Sequence, residues 1–111
     1  MDDKRFQHMA DDVFRAVERA FEDVDAEVVD CETAGDVLTL GFKGGKRCVL
    51  NTQRPTHQLW LAANARAWHF SYDESSGNWM DDKGQGAELY ATVAAIVKDQ
   101  AGIDLSILRS A

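Results

Sequence analysis

Apolar residues recur every three or four positions near the start of the chain, and this spacing predicts an amphipathic first helix. The apolar stripe comprises Phe6, Met9, Ala10, Val13, Phe14, Val17, Phe21 and Val24. Asp11, Arg15, Glu18 and Glu22 run along the opposite face. The helix should therefore bury the stripe and expose a face on which acidic side chains predominate.

The middle of the chain changes to short apolar runs separated by turn residues, which is typical of β-strands. We predict strands at residues 28–33, 37–42, 47–53, 58–63, 68–72 and 78–81. Glycines in the turns at 34–36 and 43–46 permit the positive φ angles of tight turns, and the only proline, Pro55, ends the third strand. Because the connections are short, neighbouring strands should be antiparallel.

A second helical pattern follows a glycine-rich break at residues 83–86, and Gly102 should end it. Its apolar positions are Leu89, Tyr90, Val93, Ile96, Val97 and Ala101. The tail after this helix carries Ile103, Leu105, Ile107 and Leu108. Such an apolar tail is expected to lie against the helices rather than in water.

Helix, strands and helix in this order predict an α+β fold. We expect a two-layer α/β sandwich in which the N- and C-terminal helices pack on one face of an antiparallel sheet of about six strands. Residues 1–111 should form a single domain, since this length supplies one hydrophobic core. The other face of the sheet is left to solvent.

The alternation along the strands assigns side chains to the two faces of the sheet. Leu59 and Leu61 should point toward the helices, as should Cys48 and Leu50, so Trp60 should lie on the open face. The open face should also carry Val49, Asn51 and Gln53. A strand tryptophan is more often packed than functional, but one beside amide side chains on a solvated face suits a docking surface.

The charge of the chain is concentrated at one end. Residues 1–36 hold twelve acidic and four basic residues, whereas residues 37–111 hold seven acidic and eight basic ones. The net charge is therefore −8 in the first segment and +1 in the second. Glu18 and Glu22 repel each other at a spacing of four, and we expect Glu22, Asp23 and Asp25 at the C-terminal end of the helix, where the helix dipole favours cations. A solvated helix face is the ordinary interpretation, but acids in destabilising positions favour a surface that attracts cations or basic partners.

Several classes of function are disfavoured by composition. An acidic chain does not bind nucleic acid through its phosphates, and no apolar run is long enough to span a membrane. The N-terminus lacks the pattern of a secretion signal, so we expect a cytoplasmic protein.

Cys31 and Cys48 lack metal-site spacing and should be reduced thiols in or near the core. We expect no enzyme, because no nucleophile with a base or phosphate-binding loop is signalled, and a structural role is favoured for His57 and His69.

One stretch carries a specific family resemblance. Residues 51–62 read NTQRPTHQLWLA, downstream of the acidic helix and of DCE at 30–32 and VLTL at 37–40, and upstream of WHF at 68–70. Together with Trp79 and the order of the elements, these motifs resemble the frataxin family in its bacterial CyaY form. The resemblance covers nearly the whole chain.

This resemblance implies a protein of iron–sulfur cluster assembly that binds iron weakly, as Fe2+ or Fe3+, on surface carboxylates, where other divalent cations can substitute. It implies docking on the cysteine desulfurase and the iron–sulfur scaffold protein, by a monomer that could oligomerise with iron. The family's acidic surface maps onto Asp11, Asp12, Glu18, Glu22, Asp23, Asp25, Glu27, Asp30 and Glu32. Its partner-binding residues map onto Glu18, Glu22, Asn51, Gln53 and Trp60. This chain departs from the family in placing Arg15 and Arg19 among the acids and in a longer connection at 84–86.

The ligand chemistry of the acidic surface agrees with iron. Iron(III) prefers carboxylate oxygens, and iron(II) also accepts imidazole. His8 lies one turn before Asp11 and Asp12 and joins the candidate ligands as a nitrogen donor, although a lone exposed histidine is more often only exposed. Ligands on an open surface should bind metal weakly and release it.

Two alternatives remain open at this stage. The first is a weak ferroxidase and iron store, in which iron bound to the acids is oxidised by oxygen. The second is a regulator of the desulfurase that acts only by protein binding, with an incidental affinity for metal.

Overall fold

The computed structural model describes residues 1–84 and 86–105. Its elements are α1 Asp3–Ala20, β1 Val29–Ala34, β2 Val37–Phe42, β3 Arg47–Gln53, a 3-10 turn Arg54–Thr56, β4 Gln58–Ala63, β5 Arg66–Asp73, β6 Asn78–Asp81 and α2 Leu89–Ala101. The expected order of helix, six strands and helix is therefore confirmed. Within the described residues, no helix is long and apolar enough to cross a membrane.

The strands form one sheet in the order β1-β2-β3-β4-β5-β6, and every neighbouring pair is antiparallel. Each strand therefore pairs with the next one along the chain, and β1 and β6 are the two edges. The register places Asn51 opposite Trp60, and Trp60 opposite His69. Because side chains at paired positions share a face, these three lie in one row across the sheet.

The core fills the space between the two helices and one face of the sheet. Phe6 from α1, Leu59 from β4, Phe70 from β5 and Leu89 from α2 are all fully buried. Complete burial of such side chains contributes about 1.5–3 kcal/mol each, so this interface supplies much of the stability. The predicted faces are confirmed: Leu59 and Leu61 are buried, whereas Trp60 is only half-buried.

The first helix is shorter than its apolar stripe predicts, because it ends at Ala20. The N–H groups of Phe21, Glu22 and Val24 donate to carbonyls three residues earlier, at 3.1–3.2 Å, so the chain tightens into turns. Phe21 is still buried, which shows that the stripe follows the core beyond the helix. Glu22, Asp23 and Asp25 follow the C-terminal end of α1, and Arg19 occupies its last turn.

Two strands also differ from the sequence pattern. β1 begins and ends one residue later than the predicted 28–33, and β5 extends from Arg66 to Asp73, beyond the predicted 68–72 at both ends. The turn between β4 and β5 is accordingly tight, and its two residues Asn64 and Ala65 have φ angles of 52° and 62°. Ala65 holds this left-handed conformation without the freedom of glycine, which is unfavourable.

The second helix is capped at both ends. The side chain of Glu88 accepts hydrogen bonds from the N–H groups of Tyr90 and Ala91 at 2.9 and 3.0 Å. Gly102 ends the helix at φ 71°, as predicted, and its N–H donates to the carbonyl of Lys98. Leu105 is buried in the core as expected for the tail, while Ile107 and Leu108 lie outside the described residues.

Candidate functional site

Nine predicted carboxylates form what we call the acidic ridge, and all nine are exposed. They are Asp11, Asp12 and Glu18 on α1, Glu22, Asp23, Asp25 and Glu27 on the following turns, and Asp30 and Glu32 on β1. The hydroxyl of Thr33 donates to Glu18 Oε2 at 2.8 Å and ties α1 to β1. The structure therefore joins the helical and strand parts of the ridge at this contact.

The half-buried thiol of Cys31 lies between the two parts of the ridge. Burial raises its pKa to about 11, and the negative charges of Glu18 and Asp30 add to this shift. Both carboxylates are therefore close enough to act on the same sulfur. Cys48 is buried, and burial raises the pKa of its thiol to about 12. Both cysteines are free thiols, as predicted.

The ridge is only slightly neutralised by the chain's own cations. Among the described residues, Asp12 is the one ridge acid that forms an ion pair, with Arg15 on the next turn, and His8 Nε2 lies 3.8 Å from Asp12 Oδ2. Asp11 accepts a hydrogen bond from the neutral amide of Gln7 at 2.9 Å. Arg15 thus reduces the charge near the middle of α1, and the remainder of the ridge keeps its negative field.

The described residues contain no preformed cluster of three histidine, cysteine or acidic side chains that could hold a metal ion. Of the three predicted ligands at this point of α1, His8 and Asp12 lie close together. The third, Asp11, accepts a hydrogen bond from Gln7 instead. A cation on this surface would have to gather single carboxylates and complete its coordination with water. Such binding is weak and reversible.

The open face of the sheet centres on Trp60. Its indole ring stacks on the imidazole of His69, with ring centroids 4.1 Å apart and planes 14° from parallel. The indole N–H donates to Gln58 Oε1 at 2.9 Å. The predicted docking residues Asn51 and Gln53 are half-buried on the neighbouring strand β3. The structure therefore gathers the sheet residues of the prediction on one surface.

Four residues around Trp60 were not predicted as part of this surface, namely Gln58, His69, Ser71 and Asp82. The side-chain amide of Gln58 donates to Ser71 Oγ and to Asp82 Oδ2, both at 3.1 Å. The same Asp82 oxygen lies 3.6 Å from His69 Nδ1. Alternation alone places His69 on the open face, but its stacking partner depends on the register of β4 and β5, which one sequence does not reveal.

Asn51 completes the row on the open face. Its side-chain oxygen is shielded from solvent and has no hydrogen-bond partner among the described residues.

The N-terminal end of α1 is fixed to neighbouring loops by polar contacts. Arg5 donates two hydrogen bonds to the carboxylate of Glu74, at 2.7 and 2.8 Å. His57 Nε2 lies 2.7 Å from Asp3 Oδ1, and its ring contacts Phe6 with centroids 5.2 Å apart. These contacts agree with the structural role expected for His57, because they hold the N-terminal turn of α1 against the 3-10 turn.

Comparison with known proteins decides the family. A model described as the frataxin-like domain matches residues 1–103. The chain belongs to the frataxin-like family. The resemblance of residues 51–62 and of the acidic first helix is thereby confirmed, as is the two-layer fold.

Relatives of this frataxin-like protein match along almost their whole length. The iron–sulfur cluster assembly protein CyaY of Pseudomonas aeruginosa is 40% identical over 105 residues, which cover 95% of this chain and 95% of that protein. The protein of the same name from Azotobacter vinelandii is 40% identical over 101 residues, covering 91% and 90%. The solved structure of frataxin from Psychromonas ingrahamii matches with a TM-score of 0.86 at 31% identity, covering 96% of this chain and 98% of that chain.

Proposed function

We propose that this frataxin-like protein acts in iron–sulfur cluster assembly in the bacterial cytoplasm. It binds Fe2+ or Fe3+ weakly on the acidic ridge, as cargo or as a signal, and docks on the cysteine desulfurase and its scaffold protein. The names of its relatives support the pathway. The iron sites and the docking surfaces are inferred from the geometry of this chain.

The observation that carries the proposal is the exposed charge of the ridge. All nine carboxylates are accessible, and only Asp12 has an ion-pair partner within residues 1–84 and 86–105. A chain that gained only solubility from these acids would not need them joined along one helix and one edge strand. The resulting field attracts a cation or a basic protein surface.

The same geometry sets the strength of iron binding. Because no three candidate ligands converge among the described residues, each ion is held by few protein oxygens and keeps part of its water shell. Weak binding permits transfer to a partner. It also makes iron and a basic partner compete for the same carboxylates, so iron loading would weaken docking.

The open sheet face supplies the second part of the docking surface. Trp60, Asn51 and Gln53 form a patch with an aromatic centre and amide edges, a composition common at protein interfaces. The ridge would steer the partner from a distance, whereas this patch would make the close contacts.

An NMR titration tests both parts. Amide signals of the uniformly 15N-labelled protein are followed during anaerobic addition of Fe2+, and separately during addition of purified desulfurase. We expect iron to broaden signals at residues 8–32, and the desulfurase to shift signals both there and around Trp60. If neither addition moves the signals of the ridge, the proposal is overturned.

Matched charge variants distinguish the ridge from net charge. Glu18→Lys with Glu22→Lys should abolish the desulfurase-induced shifts. Asp99→Lys with Asp104→Lys makes the same change of charge at exposed positions on α2 and beyond it, and it should preserve those shifts. If the two pairs weaken binding equally, total charge and not the ridge controls docking.

The absence of a convergent ligand set within the described part of the chain favours one second candidate, a regulator that acts only by protein binding. Asp11→Asn with Asp12→Asn separates the two functions. If these changes remove the iron-induced broadening and leave the effect of the protein on desulfurase activity intact, metal binding is incidental to regulation.

A further inference from the structure

Both contacts that hold the Trp60 ring lead to the same carboxylate. The indole N–H bonds to Gln58, whose amide bonds to Asp82 Oδ2 at 3.1 Å. The imidazole beneath the indole belongs to His69, whose Nδ1 lies 3.6 Å from that oxygen. Asp82 therefore connects the hydrogen-bonded edge of the indole with its stacked face.

The position of Asp82 is itself fixed by the backbone. Its N–H donates to the carbonyl of His69 at 2.8 Å, which extends the pairing of β5 and β6 by one residue. The carboxylate is thus held beside the imidazole. The Asp82 side chain remains 36% exposed and lies outside the hydrophobic core, so its removal leaves no cavity there.

A half-exposed tryptophan without such contacts would sample several rotamers, and a partner that binds it would have to immobilise it. A ring already fixed in one orientation avoids that loss of entropy. We infer that Asp82 is a positioning residue of the docking surface, which acts through Gln58 and His69 to hold Trp60 in one orientation. The consequence for affinity rests on the function proposed above, whereas the positioning itself does not.

The indole N–H signals test the positioning without any partner. The chain has three tryptophans, so Trp68 and Trp79 serve as internal references. In Asp82→Ala, we expect the Trp60 indole signal to shift and its exchange with solvent to accelerate, while the other two signals stay in place. Asp82→Asn keeps an oxygen acceptor for Gln58 and should retain the wild-type signal. Lys83→Ala, one residue further along an exposed turn, is the control for nonspecific change.

Affinity for the desulfurase tests the consequence. Asp82→Ala should weaken binding about two- to tenfold, the range expected when one side chain must be immobilised, and Asp82→Asn should restore it. Thermal unfolding should be the same in all three variants.

The outcomes are distinguishable. An unchanged Trp60 indole signal in Asp82→Ala overturns the positioning role, and a shifted signal with unchanged affinity overturns its consequence for docking. If the wild-type protein does not bind the desulfurase, the proposed function fails, and the indole signals still decide whether Asp82 holds Trp60.

Discussion

Trp60 and His69 lie face to face across β4 and β5, at directly paired positions of the sheet. Such a stacked pair on an open face contributes to stability as well as to the shape of the surface. Aromatic pairs of this kind are worth about 0.5–1.5 kcal/mol beyond their buried area.

We expect His69→Ala to lower the free energy of unfolding by about 1 kcal/mol, because the indole loses its stacking partner. Urea denaturation followed by circular dichroism measures this change. His69→Phe preserves an aromatic ring at the same position and should recover most of the loss. Equal destabilisation by the two substitutions would show that the stack contributes nothing.

Neutralising acids just beyond α1 should stabilise the protein. Glu22 and Asp23 follow directly on the C-terminal end of the helix, where the dipole favours cations, so Glu22→Gln and Asp23→Asn should each add about 0.3–1 kcal/mol at low salt. Added salt should diminish the gain, since these charges are exposed. Thermal unfolding at low and high ionic strength checks both statements.

Asp36→Asn, an exposed acid in the turn after β1, is the control for that experiment. It should change stability less than either ridge substitution. If removal of Glu22 and Asp23 lowers stability, these acids are structural and their functional interpretation is wrong.

Ala65→Gly should increase the free energy of unfolding by about 0.5–1 kcal/mol, because alanine at φ 62° occupies a conformation that glycine adopts without strain. The gain is limited by the greater entropy of glycine in the unfolded chain. Chemical denaturation measures it. Gly44→Ala is the reverse test, since Gly44 has φ 95° with no atom within 4 Å of the added methyl, and it should destabilise through backbone strain alone.

Stability should fall in alkaline solution because of the two thiols. Folding raises the pKa of Cys31 to about 11 and that of Cys48 to about 12, from 9.0, mainly because burial disfavours the thiolate. Below pH 9.0 both states hold neutral thiols, whereas above it only the unfolded chain ionises, so stability declines as the pH rises toward 11. Urea midpoints between about pH 8 and about pH 10 should show this decline.

A variant with Cys31→Ser and Cys48→Ala provides the control, because it has no thiol to ionise. Its stability should be lower at neutral pH and should depend less on pH over the same interval. Parallel decline in the wild type and the variant would assign the alkaline loss to other groups. Tyr90 is one such group, because burial raises its pKa from 10.0 to about 12, so near pH 10 it ionises in the unfolded chain and not in the folded one.

Much of the fold could be predicted because local patterns determine it. The bounds of β2, β3, β4 and β6 follow from alternation and turn residues, and the faces of Leu59 and Trp60 follow from the same period. The end of α1 could not be predicted, because the apolar stripe continues through Phe21 while the backbone bonds change. That change depends on how the chain reaches β1, which is a tertiary effect.

The two parts of the candidate site also differ in how far the sequence predicts them. The ridge could be recognised in the sequence, since its acids are close together along the chain. The contacts around Trp60 could not, because Gln58 lies on β4, His69 on β5 and Asp82 just after β6, and they meet only through the register of the sheet. Ligand convergence is also a tertiary property, and for His8, Asp11 and Asp12 helical spacing alone was insufficient to produce it.

The position of β1 at the edge of the sheet gives Asp30 and Glu32 a further effect. An edge strand has backbone N–H and carbonyl groups available to a strand of another molecule, and charged side chains oppose such pairing. Two copies approaching by this edge bring like charges together and repel each other. A cation that neutralised these acids would also weaken this barrier to edge-to-edge aggregation.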